Sequence, residues 1–411
     1  MRILTVGNRY PPWSAGGYER LWAGMVGDLR ERGHSVWILT TRPDPGDLAP
    51  SPPVAAGPGD LARAAGIDPD VHRELGWYWR DHAFPPCSLP ATVRRERANA
   101  AVFAQQLAAC RPDVIIWFSM GGMSLAMLGQ GAAAGLPAVA VVADDWLSYG
   151  PRVDGLTRRL PGPARRRLAG VLTRALALGP GPEMVPGPAL RVSFISRFLR
   201  DAARTSGGWT AAASVDHPGV DSVRFAPAVP APWTGRLLCC GRIDPRKGVA
   251  TALRALAQLP DATLTVDGDG GRCQRAGLHT VAARAGVADR MRWQLTAPEA
   301  LADVYAACDA LLFAVEWPEP WGLVPLEAMA VGRPVIATRT PGGTAEYLKP
   351  EGNCILVAPG DPAELASAVR RLAADPRLRE RLVAGGHRTA AGLTQATWQA
   401  TIRGHLQAVV S

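Results

Sequence analysis

The sequence lacks any apolar run long enough to cross a bilayer. A membrane-spanning helix needs about 20 consecutive, mostly apolar residues, and no stretch of the 411 residues reaches that length. Met1 is followed directly by Arg2 and a short strand-like stretch to Gly7, without the pattern of a secretory signal. We therefore expect a cytoplasmic protein.

Patterns typical of metal and dinucleotide sites are also missing. The seven cysteines show no CxxC spacing and the seven histidines no HExxH, so we expect reduced thiols and no zinc. The first predicted strand is followed by Gly7 to Pro12, which is not the GxGxxG pattern of a nicotinamide dehydrogenase. That class of enzyme is excluded.

Lysine is almost absent, because Lys247 and Lys349 are the only lysines among 45 basic residues. Arginine serves wherever a cation suffices, so a lysine kept at position 247 indicates that a compact ammonium group is needed there. Chance drift is the alternative explanation.

Positive charge is concentrated in one segment of a chain whose net charge is +9. Residues 150–209 hold eleven arginines against Asp154, Glu183 and Asp201, a local charge of +8. The segment is either a solvated helix face or a surface for an anionic partner, such as the inner face of a membrane. Nothing in it resembles a nucleic-acid-binding module.

Length and apolar periodicity predict two α/β domains. A chain of this length with 47% hydrophobic residues exceeds one ordinary core. Short apolar runs alternate with helix-like sequence in both halves, which predicts doubly wound parallel sheets. A linker is expected near residues 205–216, and a long excursion at residues 43–70. The predicted strands are Ile3–Val6, Ser35–Thr40, 113–118, 138–142, 235–240, 263–266, 310–313 and 334–337.

The strongest motif contains two glutamates, Glu319 and Glu327, on either side of an expected helix start at Gly322. The free amides of Gly322, Leu323 and Val324, together with the helix dipole, would favour an anion such as a diphosphate. Glu327 can reach back to accept hydrogen bonds from two ribose hydroxyls. Two glutamates on a helix surface are the alternative interpretation.

A second motif runs from Gly241 to Gly248. It places Arg242 just after a strand and Lys247 at the next helix start, where two cations can neutralise a leaving diphosphate.

These motifs, with five others, resemble those of the family 4 retaining glycosyltransferases of the GT-B fold, also called group 1. The resemblance runs almost from end to end. The other matching segments are Pro12–Glu19, Phe194–Asp201, Pro218–Asp221 with Phe225 and Pro227, Gly268–Gly270 and Pro341–Glu346.

The resemblance implies an architecture and a reaction. The fold would be two facing Rossmann-like domains with a cleft between them: residues 1–208 on the acceptor side, and residues 209–391 binding the nucleotide sugar. The last helix, about 392–411, would pack back on the first domain. Transfer would retain the anomeric configuration through a front-face displacement without a metal, from a nucleotide-diphosphate sugar. A UDP sugar is the first expectation, with GDP and ADP sugars behind it.

The resemblance also implies roles for individual residues. Those matching Arg242 and Lys247 contact the donor diphosphate, and the one matching Glu327 binds the ribose. The residue matching Glu319 lies near the transferred sugar. Gly16 and Gly17 match a glycine pair whose backbone approaches the donor phosphates, where a side chain would obstruct closure.

One position departs from the family pattern. Many members place a His-Asp pair after the strand that here ends near Val142, and this chain has Ala143, Asp144 and Asp145. Ala143 replaces the histidine and Asp144 matches the aspartate. We expect Asp144 or Asp145 to cover the missing imidazole, with a loop-capping role as the alternative for Asp145.

An aromatic segment is the candidate acceptor site. It contains Trp77 and Trp79, whose rings can stack on sugar faces, followed by Arg80, Asp81 and His82, which can bond hydroxyls. The alternative is a satellite core cluster that pins the long loop.

The sequence thus predicts a glycosyltransferase with an unknown small-molecule, glycan or lipid-linked acceptor. The rival from another class is a noncatalytic nucleotide-sugar-binding subunit, for which loss of the histidine would mark a degenerate active site. The presence of Arg242, Lys247, Glu319 and Glu327 argues against such decay.

Overall fold

The computed structural model of the chain describes residues 1–13, 16–43, 68–79, 83–159, 171, 175, 189–207 and 213–411. It divides into two compact units. The first comprises Met1–Asp216 and Gln399–Ser411, and the second comprises His217–Trp398.

The first unit is built on a seven-stranded parallel sheet in the order β3-β2-β1-β4-β5-β6-β7. Its central strands are buried on both faces, which explains their continuous apolar sequence. Trp22 fills the core beneath them, with its ring stacked on Phe118 at 5.0 Å. The strands are β1 (Arg2–Val6), β2 (Ser35–Thr41), β3 (Val71–Leu75), β4 (Val114–Trp117), β5 (Ala138–Val142), β6 (Leu190–Phe194) and β7 (Ala213–Val215).

The second unit is built on a six-stranded parallel sheet in the order β10-β9-β8-β11-β12-β13. One apolar core of this unit joins strand residues such as Leu237 and Leu312 to helix residues such as Leu253. The strands are β8 (Arg236–Cys240), β9 (Thr263–Asp267), β10 (Met291–Gln294), β11 (Ala310–Phe313), β12 (Val335–Thr338) and β13 (Ile355–Val357).

Among the described residues, helices connect most successive strands, as parallel pairing requires. Several begin at side-chain caps: Ser88 accepts a hydrogen bond from the Ala91 amide, and Asp361 accepts from two amides of the helix that it precedes. The helices are α1 (Gly17–Glu31), α2 (Leu89–Cys110), α3 (Ala126–Ala133), α4 (Trp146–Val153), α5 (Arg197–Gly207), α6 (Val249–Leu256), α7 (Gly271–Arg284), α8 (Leu301–Ala307), α9 (Leu323–Val331), α10 (Pro362–Ala374), α11 (Pro376–Gly392) and α12 (Gln395–Val410).

The boundary between the units differs from the prediction of a break after residue 208. The first unit extends to Asp216 because Ala213, Ser214 and Val215 pair with β6 and complete the first sheet. The prediction of a linker that begins at Thr205–Gly208 missed this short strand. Of the predicted excursion at residues 43–70, residues 44–67 lie outside the described residues.

The last helix carries the chain back into the first unit from Gln399 onward. Gln399 donates to the Gly24 carbonyl at 2.8 Å, and Arg403 forms an ion pair with Asp28 of α1. His405 lies 2.8 Å from the Asp216 carboxylate. Polar contacts therefore fix this segment to α1 and to the end of the first sheet.

Candidate nucleotide and sugar site

The strand order of the second sheet reverses between its central strands β8 and β11, which pair directly. Ligands of doubly wound sheets bind outside the carboxyl ends of the strands at such a switch point. The two motifs singled out from the sequence, Gly241–Gly248 and Glu319–Glu327, follow these two strands. The fold therefore brings both motifs to the expected ligand position of the second unit.

The loop after β8 is organised by Asp244. Its carboxylate accepts from the Arg246 amide at 3.0 Å, and also lies 3.3 Å from Arg242 Nε and 3.0 Å from Arg246 Nη2. Burial alone would raise the pKa of Asp244, but the hydrogen bond from Arg246 and the charges of Arg246, Arg242 and Lys247 outweigh it, so its pKa lies below the ordinary value. The carboxylate is thus ionised and surrounded by cations.

The close packing of the two loops requires a glycine at position 248. Gly248 has φ of +66°, and a Cβ atom there would lie 1.8 Å from the Ala314 carbonyl oxygen, which follows β11. Both the left-handed backbone and the lack of space exclude a side chain. This contact brings Lys247 next to the second motif.

Lys247 and Glu319 are in direct contact. The Lys247 ammonium lies 2.6 Å from Glu319 Oε2, and the indole N–H of Trp317 donates to the same oxygen at 2.8 Å. The Arg246 guanidinium stacks over the Trp317 ring at 4.3 Å from its centre. Two predicted site residues are therefore in contact, and one of them, Glu319, also accepts a hydrogen bond from a tryptophan that the sequence analysis did not single out.

Helix α9 begins immediately after Gly322, as predicted. Gly322 has φ of +79°, and a Cβ atom there would lie 3.1 Å from the Phe313 ring. The Tyr347 hydroxyl donates to the Gly322 carbonyl at 2.6 Å and fixes the turn. No side chain among the described residues caps this helix, so the first-turn amides of Leu323 and Val324 face the switch point uncapped.

Glu327 lies inside the unit, with 4% of its surface exposed. The Tyr305 hydroxyl donates to Glu327 Oε2 at 2.6 Å, and burial together with Cys240 and Glu327 raises the pKa of Tyr305 well above its ordinary value. Tyr305 therefore stays protonated and acts as the donor. The alternative interpretation of Glu327 as a solvent-facing helix residue is wrong.

In the first unit, a chain of hydrogen bonds runs along the carboxyl ends of β1, β4 and β5. Tyr18 donates to the Asn8 side chain, Asn8 Nδ2 donates to Ser119 Oγ at 3.2 Å, and Ser119 Oγ donates to Asp144 Oδ2 at 2.9 Å. The Tyr149 hydroxyl donates to the same Asp144 oxygen at 2.9 Å. Asp144, which follows β5, is therefore linked by hydrogen bonds to the residues that follow the two strands at the switch point of the first sheet, β1 and β4.

Burial is the dominant influence on Asp144. It raises the pKa of Asp144 above its ordinary value, although the hydrogen bonds from Tyr149 and Ser119 oppose the shift. Ala143 is buried, and the neighbouring Asp145 provides backbone acceptors at the start of α4 without capping the helix through its side chain. Asp145 therefore does not cap this helix through its side chain, while Tyr149 supplies a polar group that the sequence analysis missed.

The two tryptophans of the predicted acceptor segment lie together. Their rings stack with centroids 4.8 Å apart, and the Trp77 indole donates to the Gly121 carbonyl at 2.9 Å. The Arg9 guanidinium lies 4.8 Å from the centre of the Trp79 ring. Both rings are half-buried at the edge formed by the ends of β1 and β4, whereas Arg80, Asp81 and His82 lie outside the described residues.

The intervening Tyr78 faces the other way. It is 2% exposed, and its hydroxyl donates to the buried Glu96 at 2.7 Å. The segment thus combines a core anchor with an aromatic pair at the edge of the sheet. The satellite-core alternative describes Tyr78 well and the tryptophans only in part.

Of the glycine pair at the start of α1, Gly16 shows no conformational requirement for glycine. Gly16 has φ of −179°, an extended conformation open to any residue, and a Cβ atom there would be in ordinary contact with Glu19. Gly17 begins the helix. The predicted close approach to donor phosphates therefore stays a prediction.

Metal and membrane features can be assessed only for the described residues. They contain no group of three or more His, Cys, Asp or Glu side chains placed to hold a metal ion. Across the same parts of the chain, no helix is both long and apolar enough to cross a membrane. Much of the basic segment, at residues 160–170, 172–174 and 176–188, is outside them.

Cations and a helix N-terminus at the switch point of a doubly wound sheet define a class of domain suited to phosphate-bearing ligands. Residues 234–389 match the family of glycosyl transferases group 1. The lipopolysaccharide core biosynthesis glycosyltransferase LpsE of Rhizobium meliloti (strain 1021) is 33% identical over 231 residues, 55% of this chain and 62% of that protein. The D-inositol 3-phosphate glycosyltransferase of Frankia alni is 35% identical over 272 residues, 58% of this chain and 65% of that protein.

Solved structures extend the similarity over nearly the whole chain. Anabaena HepE in complex with UDP-glucose superimposes with a TM-score of 0.69, covering 98% of this chain and 99% of HepE at 20% identity. This likeness establishes the GT-B fold. The match to the group 1 glycosyl transferases lies within the second unit, and the chain spans less than two thirds of the length of the two curated relatives.

Proposed function

We propose that the protein is a family 4 retaining glycosyltransferase that uses a nucleotide-diphosphate sugar. The contact between Lys247 and Glu319 beside the uncapped start of α9 carries this proposal. It combines a phosphate-binding cation with a carboxylate at a ligand-binding edge of the sheet. The UDP-glucose complex of HepE supports UDP sugars as the first donors to test.

The diphosphate of the donor would lie on the amides of Leu323 and Val324, with Arg242 and Lys247 as its counterions. These groups supply positive potential without a metal ion. Glu327 would accept the ribose hydroxyls while Tyr305 holds its other side. Binding requires Lys247 to exchange Glu319 for phosphate, which leaves the carboxylate of Glu319 directed at the sugar.

Retention follows if the acceptor attacks the face from which the diphosphate departs. In that front-face displacement, a departing phosphate oxygen takes the acceptor proton, and Arg242 and Lys247 stabilise the charge that develops on the diphosphate. Asp144, held by Ser119 and Tyr149, would orient the acceptor from the first unit. The acceptor contributes the hydroxyl group that attacks the sugar.

We expect the purified protein to transfer sugar from a UDP sugar, or to hydrolyse it slowly, and to give a product with the anomeric configuration of the donor. NMR of the product anomer tests retention, and parallel reactions with EDTA test independence from metal. An inverted product would overturn the mechanism. Activity that EDTA abolishes and magnesium or manganese restores would overturn the metal-free diphosphate site.

A noncatalytic nucleotide-sugar-binding subunit is the competing function. It predicts that nucleoside diphosphates raise the melting temperature, because they bind the folded state, while a panel of donors and acceptors yields neither hydrolysis nor transfer. The missing histidine at Ala143 motivates this alternative. The hydrogen-bonded Asp144 and the intact Lys247–Glu319 pair favour the enzyme.

The acceptor is proposed to bind in the first unit, near Trp77, Trp79 and the Gly16-Gly17 loop. We expect Trp79→Ala to raise the acceptor KM by an amount equivalent to about 0.5–1.5 kcal/mol, the value of an aromatic contact, without changing donor hydrolysis. Tyr78→Phe is the control, since its hydroxyl bonds Glu96 in the core and should affect stability alone. Wild-type acceptor kinetics in a folded Trp79→Ala protein would place the acceptor elsewhere.

Association of residues 150–209 with an anionic membrane face is proposed as a secondary property. Its motivation is the local charge of +8 in that segment. The relative LpsE is named for lipopolysaccharide core biosynthesis. Cytoplasmic localisation remains a proposal as well.

A further inference from the structure

Trp317 is the residue that links the charged groups of the two loops. Its indole N–H donates to Glu319 Oε2 at 2.8 Å, and its ring lies 4.3 Å from the Arg246 guanidinium and 5.7 Å from the Lys247 ammonium. The backbone next to it is also fixed, because the Glu316 amide donates to the Arg246 carbonyl at 2.7 Å. Arg246, in the loop after β8, thus fixes Trp317, and the Trp317 N–H in turn fixes the Glu319 carboxylate.

Both donors to Glu319 converge on one oxygen atom. Lys247 and Trp317 each approach Oε2, at 2.6 Å and 2.8 Å. The two contacts differ in what a phosphate would do to them. An ammonium is attracted to a phosphate and exchanges its partner, whereas a neutral indole N–H on a fixed ring has no such competing attraction.

We propose, resting on the transferase function above, that Trp317 is a positioning residue for Glu319. When the diphosphate recruits Lys247, the Trp317 N–H keeps the carboxylate in the orientation that the transferred sugar requires. Stacking of Arg246 on the ring face keeps the indole itself in place. Catalysis depends on such supporting contacts, because small displacements of a reacting group are costly.

A purely structural role for Trp317 is the competing explanation. The neighbouring Trp321 has such a role and serves for comparison. Trp321 is 2% exposed, its N–H donates to the Pro218 carbonyl at 2.8 Å, and His217 stacks on its face. Trp317 is only half-buried, and its contacts are charged groups of the candidate donor site. Its environment is therefore that of a site residue.

Trp317→Phe isolates the hydrogen bond, since it keeps an aromatic face for Arg246 and removes the N–H. Because hydrogen bonds to charged groups are worth about ten- to a hundredfold, we expect turnover of transfer to fall roughly tenfold or more. The Kd for UDP and the donor KM should stay within about twofold. Trp293→Phe is the matched control, because Trp293 also lies under an arginine, Arg275 at 5.1 Å, but on β10.

A double-mutant cycle tests whether Trp317 acts through Glu319. In a Glu319→Gln background, the Trp317→Phe change should have far less effect on turnover than in the wild type. Equal losses in both backgrounds, or wild-type turnover in Trp317→Phe, would overturn the inference while the transferase function stands. A lower melting temperature with unchanged turnover would assign Trp317 a structural role. Absence of hydrolysis and transfer in the wild type would overturn the proposed function, and this inference with it.

Discussion

Replacing Lys247 with alanine is expected to weaken binding of UDP and of a UDP sugar about ten- to a hundredfold. The lost contact is a charge-assisted one to phosphate, worth about 1.5–3 kcal/mol. The substitution also removes the cationic partner of Glu319, whose negative charge then faces the incoming diphosphate without a neutralising ammonium. Calorimetric titration of the variant against UDP measures the loss directly.

The sequence offers a matched control in its only other lysine. Lys349 is exposed in the same unit, and Lys349→Ala should bind UDP like the wild type. Combining Lys247→Ala with Glu319→Gln separates the two contributions, because the double variant regains whatever part of the loss came from repulsion by Glu319. Equal UDP affinity in the wild type and Lys247→Ala would show that the diphosphate binds elsewhere.

The sequence predicted the strands around each switch point because those strands are short, apolar and buried on both faces. It also predicted the start of α9 at Gly322, where the structure has a positive φ that favours glycine. Edge strands such as β7 and β10 escaped detection. They are only partly buried, so their sequences are less apolar.

The contacts that complete the donor site depend on tertiary proximity. Asp244 and Trp317 lie in loops that follow different strands, and nothing in either loop alone shows that Arg246 will stack on Trp317. The density of aromatic and acidic residues from Glu316 to Trp321 was the available signal. The two loops lie next to each other only because β8 pairs with β11 in the sheet.

The acceptor segment shows a different limit of sequence reasoning. Alternation along an extended chain sends Tyr78 into the core and its two neighbouring tryptophans toward the edge of the sheet. Sequence alone left open which side would face the core. In the same way, Tyr149 reaches Asp144 from the following helix, a contact five residues away in sequence that no motif marks.

The stability of the first unit is expected to fall as pH rises from about 4.5 to about 8 because of Glu96. This side chain is 1% exposed on α2, and burial, assisted by the charge of Asp154, raises its pKa from 4.5 to about 8 despite the hydrogen bond from Tyr78. Between those values the folded protein holds a proton that the unfolded chain has released. The free energy of unfolding then falls by up to about 1.4 kcal/mol per pH unit from this group.

Glu96→Gln tests this dependence, since glutamine has nearly the same size, can accept from the Tyr78 hydroxyl and carries no titrating proton. The pKa values of Asp144 and Asp154 are also raised, so the measured quantity is the difference between wild type and variant in denaturant unfolding at several pH values. As pH rises, the wild type should lose free energy of unfolding relative to Glu96→Gln. The difference should become constant above about pH 8. Glu380→Gln, at an exposed position of the second unit, should run parallel to the wild type. A Glu96→Gln curve that also runs parallel would mean that Glu96 titrates near its ordinary pKa in the folded protein.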